Sequence, residues 1–80
     1  MNIVYILRSL KDKTRIYIGF TQNLERRLKE HNQGDTAYTK KFTPWEVETY
    51  INFKNRNRAL NFEKYLKKGS GNAFLKKRLI

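Results

Sequence analysis

Arg27 and His31 are a guanidinium and the chain's only histidine, and they occupy positions that a helix would normally give to apolar residues. At about 100° per residue they share one arc with Leu24 and Leu28, while Glu25, Arg26, Lys29 and Glu30 fall outside it. Full burial of an unpaired arginine would cost several kcal/mol, so Arg27 is expected at the rim of the helix packing, its head reaching a cleft. The structural alternative is a stem that covers apolar surface while its charge stays in water. His31, one turn further on, has the same ambiguity, and a lone histidine is often only a structural donor.

Glu63 repeats this pattern with the opposite sign. It lies in the arc of Ala59, Phe62 and Leu66 and is the only acid in residues 54–80. Such a carboxylate could hold one divalent metal ion at the floor of a basic cleft, or it could pair with Arg27 or a neighbouring lysine. Tyr5 and Tyr17 fall in adjacent β-like runs and share a face if the runs pair in an even register. Phenols near cationic charge can donate or accept protons, though strand tyrosines are more often packing residues. Asp12 and Asp35 stand in turn or loop contexts where aspartate is ordinary. No carboxylate cluster suited to two metals exists. One histidine and no cysteine exclude a zinc constellation, a thiol nucleophile and disulfides. Gly69-Ser70-Gly71 lacks the lysine of a phosphate loop.

Several short elements must position these groups. "NIVYILRS" and "RIYIGF", separated by the polar "LKDKT", predict an antiparallel hairpin whose first strand is covered on both faces. Thr21 or Asn23 can cap a helix that runs to about Gly34. "GDTAYTKKFTP" reads as a polar loop. In "WEVETYINF" strict alternation predicts Trp45, Val47, Thr49, Ile51 and Phe53 on one face. A second helix fits "NRALNFEKYLKK" up to Gly69, and Ser70 could cap a third over "NAFLKKRL". The expected fold is α+β, a small three-stranded antiparallel sheet with packed helices in the order ββαβαα, as one domain spanning residues 1–80.

The formal charge is +11, spread unevenly: nine Lys and Arg stand against six Asp and Glu in residues 1–53, and nine against one in residues 54–80. This balance points to a polyanion partner, nucleic acid above all. Lys40 and Lys41 in the loop, and Lys67, Lys68, Lys76, Lys77 and Arg78 near the end, are the candidate phosphate contacts. The apolar start "MNIVYIL" has no basic region before it and is too short to span a bilayer, so a cytoplasmic protein without membrane attachment is expected.

Val4-Tyr5-Ile6, Tyr17-Ile18-Gly19, "NLERRLKEH" at 23–31 and Glu63 within "ALNFEKYLK" together resemble the GIY-YIG nuclease superfamily. The likeness is strongest to small stand-alone bacterial members comparable to the N-terminal domain of an excision-repair nuclease. It covers nearly the whole chain in the family's order, with Val4-Tyr5-Ile6 departing from the letters of the first motif. It implies a metal-dependent endonuclease acting on DNA, on branched, nicked or flapped structures with little sequence specificity. Tyr5 and Tyr17 would be the paired tyrosines, either of which could take the proton. Arg27 would stabilise the phosphate, His31 would assist proton transfer or positioning, and Glu63 would bind one Mg²⁺ or Mn²⁺. Gly19 would let backbone approach the site. No small-molecule cofactor is expected. The alternative is a non-enzymatic nucleic-acid-binding module or a structural partner in a repair complex.

Overall fold

A computed structural model describes all residues, 1–80. β1 (Ile3–Ser9) is the central strand of an antiparallel sheet ordered β2-β1-β3, with β2 (Ile16–Thr21) on one side and β3 (Trp45–Asn52) on the other. The α+β class and the three-stranded sheet match the sequence expectation. β1 is central because β-branched, aromatic and aliphatic side chains fill both of its faces, and all but one of its residues are buried.

Its two faces serve two separate cores. Val4 and Ile6 pack with Ala59 and Leu66 of α3 (Arg56–Leu66) and with Leu75, which follows α4 (Gly69–Phe74). Ile3, Tyr5 and Leu7 pack with Trp45, against Leu24 and Leu28 of α1 (Leu24–Asn32). Helices thus cover the sheet on both sides. No helix is long and apolar enough to cross a membrane.

The strict alternation expected of β3 is broken. Its pairing to β1 shifts between Ile6 and Leu7, so that Thr49 faces Ile6 but Val47 faces Leu7, leaving Glu48 as the extra residue of a bulge. Trp45 and Val47 therefore join the Tyr5 side, while Phe53 packs with the Val4 side. Thr49 is also drawn to that second side, where its hydroxyl donates to the Leu79 carbonyl. A single unpaired residue thus lets one strand feed both cores.

Two further expectations are corrected. The polar loop after Gly34 contains a helix, α2 (Ala37–Lys41). Thr36 and Thr39 exchange side-chain to backbone hydrogen bonds at its start, a capping box made of hydroxyls alone. Ser70 does not cap the last helix, since α4 starts after Lys68 without a side-chain cap and passes into a π-helical turn over Leu75–Leu79. Asn23 does cap α1, its side chain accepting from the Arg26 N–H at 3.1 Å. At the other end of α1, Asn32 accepts from the Trp45 N–H at 2.6 Å and donates to its carbonyl at 3.2 Å, tying the helix to β3.

Candidate active site

Tyr5 and Tyr17 do share a face. Tyr5 pairs across the hairpin with Gly19 and Leu7 pairs with Tyr17, so the two phenols stand side by side, ring centroids 6.2 Å apart. Tyr5 points over Gly19 of the edge strand. A Cβ added at Gly19 would stand 2.5 Å from the Tyr5 Oη and 2.6 Å from Cζ. The glycine therefore provides space, and the backbone conformation does not demand it. Gly19→Ala is expected to destabilise the fold by about 1–3 kcal/mol through overpacking, and to displace the phenol. Thermal unfolding checks the first effect; an unchanged melting temperature would show that Tyr5 moves aside freely.

The arc reading of α1 holds for its two polar members. His31 is fully buried, and its ring lies 4.5 Å from that of Tyr17. Its Nε2 is 2.8 Å from the Tyr5 Oη. Burial, helped by the charge of Arg27, lowers the His31 pKa and keeps the imidazole neutral. Burial also pushes the Tyr5 phenol up to about 12, against the opposing pull of Arg27. With both groups neutral, the Asp35 carboxylate favours the tautomer in which Tyr5 donates to Nε2 and the imidazole hydrogen sits on Nδ1. That atom has no aligned partner, but it lies 3.4 Å from Oδ1 of Asp35.

Arg27 stands at the rim, its side chain 27% exposed. Its Nη1 donates to Glu30 at 2.8 Å and to Asp35 at 2.6 Å. The Glu30 bond is the main reason its pKa rises above the ordinary arginine value. A guanidinium has more donors than these two, so some remain for a phosphate.

Asp35 is the residue that sequence reasoning missed. Burial alone would raise its carboxyl, but hydrogen bonds from Arg27 and Thr39 outweigh this and hold it below the usual carboxylate range. It thus touches Arg27 and neighbours His31, stabilising positive charge on both. The Gly34 turn, at φ 77°, brings it there. A glycine closing a helix, followed at once by an acid, was the available signal. Tyr38 of α2 was also unforeseen: it stacks beside Tyr17 at 6.4 Å and beside Trp45 at 5.9 Å, closing the outer wall.

The other expected residues stand elsewhere. Lys40 and Lys41 are exposed on α2, the helix whose Tyr38 meets Tyr17. Glu63 belongs to α3, across the sheet from Tyr5, and its carboxylate accepts from Lys67 Nζ at 2.9 Å. That is the neighbouring-lysine pairing, and Glu63 makes no hydrogen bond or ion pair with the Tyr5–His31–Arg27 group. Lys68 is exposed on the same far layer.

As it stands, the arrangement can bind a phosphate at Arg27 and move a proton between a phenol and an imidazole. Comparison with known proteins points the same way. A family model described as "GIY-YIG catalytic domain" matches residues 1–78. A structure-specific endonuclease subunit SLX1 of Debaryomyces hansenii is 45% identical over 67 residues, covering 75% of this chain and 19% of that protein. A UPF0213 protein of Clostridium perfringens is 44% identical over 69 residues, covering 85% and 72% respectively. A UPF0213 protein of Lactococcus lactis subsp. cremoris is 39% identical over 67 residues, covering 82% and 66%.

Proposed function

Because the chain belongs to the GIY-YIG catalytic-domain family, we propose that it is an endonuclease. It hydrolyses phosphodiester bonds in DNA as one domain over residues 1–80, selecting branched, nicked or flapped structures over particular base sequences. The observation that carries this reading is the gathering of Tyr5, Tyr17, Arg27 and His31 on one side of the sheet, with the Tyr5–His31 hydrogen bond at its centre. Relatives named as structure-specific endonuclease subunits support DNA as the substrate. The chain spans 19% and 17% of those two proteins.

Arg27 binds the scissile phosphate through its unused donors and stabilises the negative charge that grows on the phosphate oxygens during attack. The attacking water gives its proton to the Tyr5 oxygen as Tyr5 passes its own to His31 Nε2. A bond forms from the water oxygen to phosphorus, and the bond to the leaving oxygen breaks with its electron pair. This coupling avoids a free phenolate, which would be scarce at neutral pH for a phenol at about 12. Asp35 beside Nδ1 stabilises the resulting imidazolium. Tyr17, the more exposed phenol, forms the outer wall toward the substrate, and Lys40 and Lys41 hold flanking phosphates.

No group of three His, Cys, Asp or Glu side chains is assembled anywhere, so the donors suit an ion that keeps most of its water. Glu63, 18% exposed, offers one hard carboxylate, and Mg²⁺ is commonly held by one or two carboxylates together with substrate phosphate. A Mg²⁺ or Mn²⁺ held there would lie on the layer opposite Tyr5 and would neutralise phosphates bound on that layer as a Lewis acid.

The test is incubation of the full chain with duplex, single-stranded and branched DNA in Mg²⁺ or Mn²⁺. Cleavage of the branched substrate supports the reading, while binding without cleavage would favour the non-enzymatic module. The rate is also expected to depend on pH. His31 must be neutral to take a proton, and its pKa lies below the ordinary 6.5. The rate should therefore hold down to about pH 6.5 and fall at lower pH, as the imidazole is protonated. In Asp35→Asn the fall should move lower still, because the carboxylate that favours the imidazolium is gone. A rate that rises as pH drops through 6 would remove His31 from the proton route.

A further inference from the structure

The far layer carries a group of aromatic rings that the reaction above does not use. Phe62 lies 5.4 Å from Phe53, 6.0 Å from Tyr65 and 6.3 Å from Phe74, and Tyr65 and Phe74 are 6.3 Å apart. Phe53 and Phe62 rest on the Val4–Ile6 core, whereas Tyr65 and Phe74 are 43% and 38% exposed. Their spacing is fixed by close backbone contact. Gly71 is buried, and a Cβ there would stand only 1.7 Å from the Tyr65 carbonyl oxygen, so α4 sits directly against the end of α3. This gives the Gly69-Ser70-Gly71 sequence a structural use.

Charge on this layer is one-sided. All nine Lys and Arg of residues 54–80 are exposed, and the single opposing acid, Glu63, is taken by Lys67. The only one of the nine that lies over an aromatic ring is Arg56, and that ring is Phe20. Tyr65 and Phe74 are thus partly exposed amid positive charge, with no cation seated on either ring. Exposed rings alone would suit any apolar partner, but the surrounding cations select a polyanion that also offers flat surfaces. A duplex keeps its base faces stacked on one another, whereas an unpaired strand presents phosphates and bases together.

We infer that Tyr65 and Phe74, flanked by Lys64 and Lys68, form a stacking platform for the bases of an unpaired DNA strand, on the layer opposite Tyr5. A single-stranded arm or flap is held there while the duplex part occupies the tyrosine side. The inference rests on the DNA reading above. Its test measures binding with chelator present, so the absence of cleavage does not bear on it.

The probes are a labelled oligothymidylate and a duplex of equal length, titrated with the full chain and followed by fluorescence anisotropy. The double variant Tyr65→Ala with Phe74→Ala is expected to lose about tenfold or more in affinity for the oligothymidylate, and less than about twofold for the duplex. Tyr65→Leu with Phe74→Leu keeps apolar bulk and the fold, and should show the same selective loss. Lys64→Gln with Lys68→Gln should weaken both probes and flatten the salt dependence. Parent-like affinity of both aromatic variants for the oligothymidylate would overturn the inference, as would equal losses on the two probes. A parent chain that binds the oligothymidylate as expected but cuts nothing in Mg²⁺ would sink the nuclease reading alone.

Discussion

Arg27→Ala is expected to cut DNA about 10³-fold more slowly than the parent chain, on the scale of removing a charge-stabilising donor or arginine from a phosphoryl-transfer site. In the proposed reading Arg27 is the side chain that meets the phosphate. It is the only arginine tied into the group of Tyr5, His31 and Asp35. Arg27→Lys keeps the charge but loses the planar fork, so it should recover only a small part of the rate. The alanine variant carries a second signature. Arg27 helps keep His31 neutral, and Glu30 and Asp35 would remain beside the imidazole without their counter-charge. The acid-side fall in rate should therefore move to higher pH than in the parent. Single-turnover cleavage across pH measures both effects. Parent-like cutting by Arg27→Ala would refute the assigned role.

Glu63→Gln should raise the Mg²⁺ concentration needed for cleavage and be almost silent in stability, because the ion Glu63 would hold lies across the sheet from Arg27 and acts on phosphates of that layer. The ion pair it breaks is partly exposed, with the Lys67 side chain 49% open to solvent. Pairs of this kind contribute about 0–1 kcal/mol. A higher Mg²⁺ requirement without a shift in unfolding would thus separate metal binding from structure. Lys67→Gln is the informative companion, since it frees the carboxylate from its present partner and should lower the Mg²⁺ concentration needed for half-maximal cleavage. If Glu63→Gln and the parent share one metal titration curve, Glu63 is an ion-pair residue only.

The sequence made the tyrosine side easy to read because two periodicities governed it. A hairpin with a short turn puts Tyr5 and Tyr17 on one face by its period of two, and a 3.6-residue repeat puts Arg27 and His31 on one arc of α1; that this arc covers the tyrosine face was implied by the family resemblance alone. Asp35 was hidden because no repeat covers the turn at Gly34. Its position follows from a single positive φ and from the anchoring of α1 to Trp45 by Asn32. α2 escaped notice because its start signal is Thr36 with Thr39, without the glutamate that usually announces a capping box. Glu63 illustrates a different gap. An apolar stripe says that a helix packs, but not on which face of the sheet; contacts with Val4 and Ile6 decided that.

The unpaired Glu48 bears on how this chain can change over time. Loss of that one residue would restore regular pairing along β3, but only by turning half of the strand over. Either Trp45 and Val47 would leave α1, or Phe53 would leave α3. Lineages that keep both layers must therefore conserve strand length here more strictly than side-chain identity, and insertions should accumulate in the turns instead.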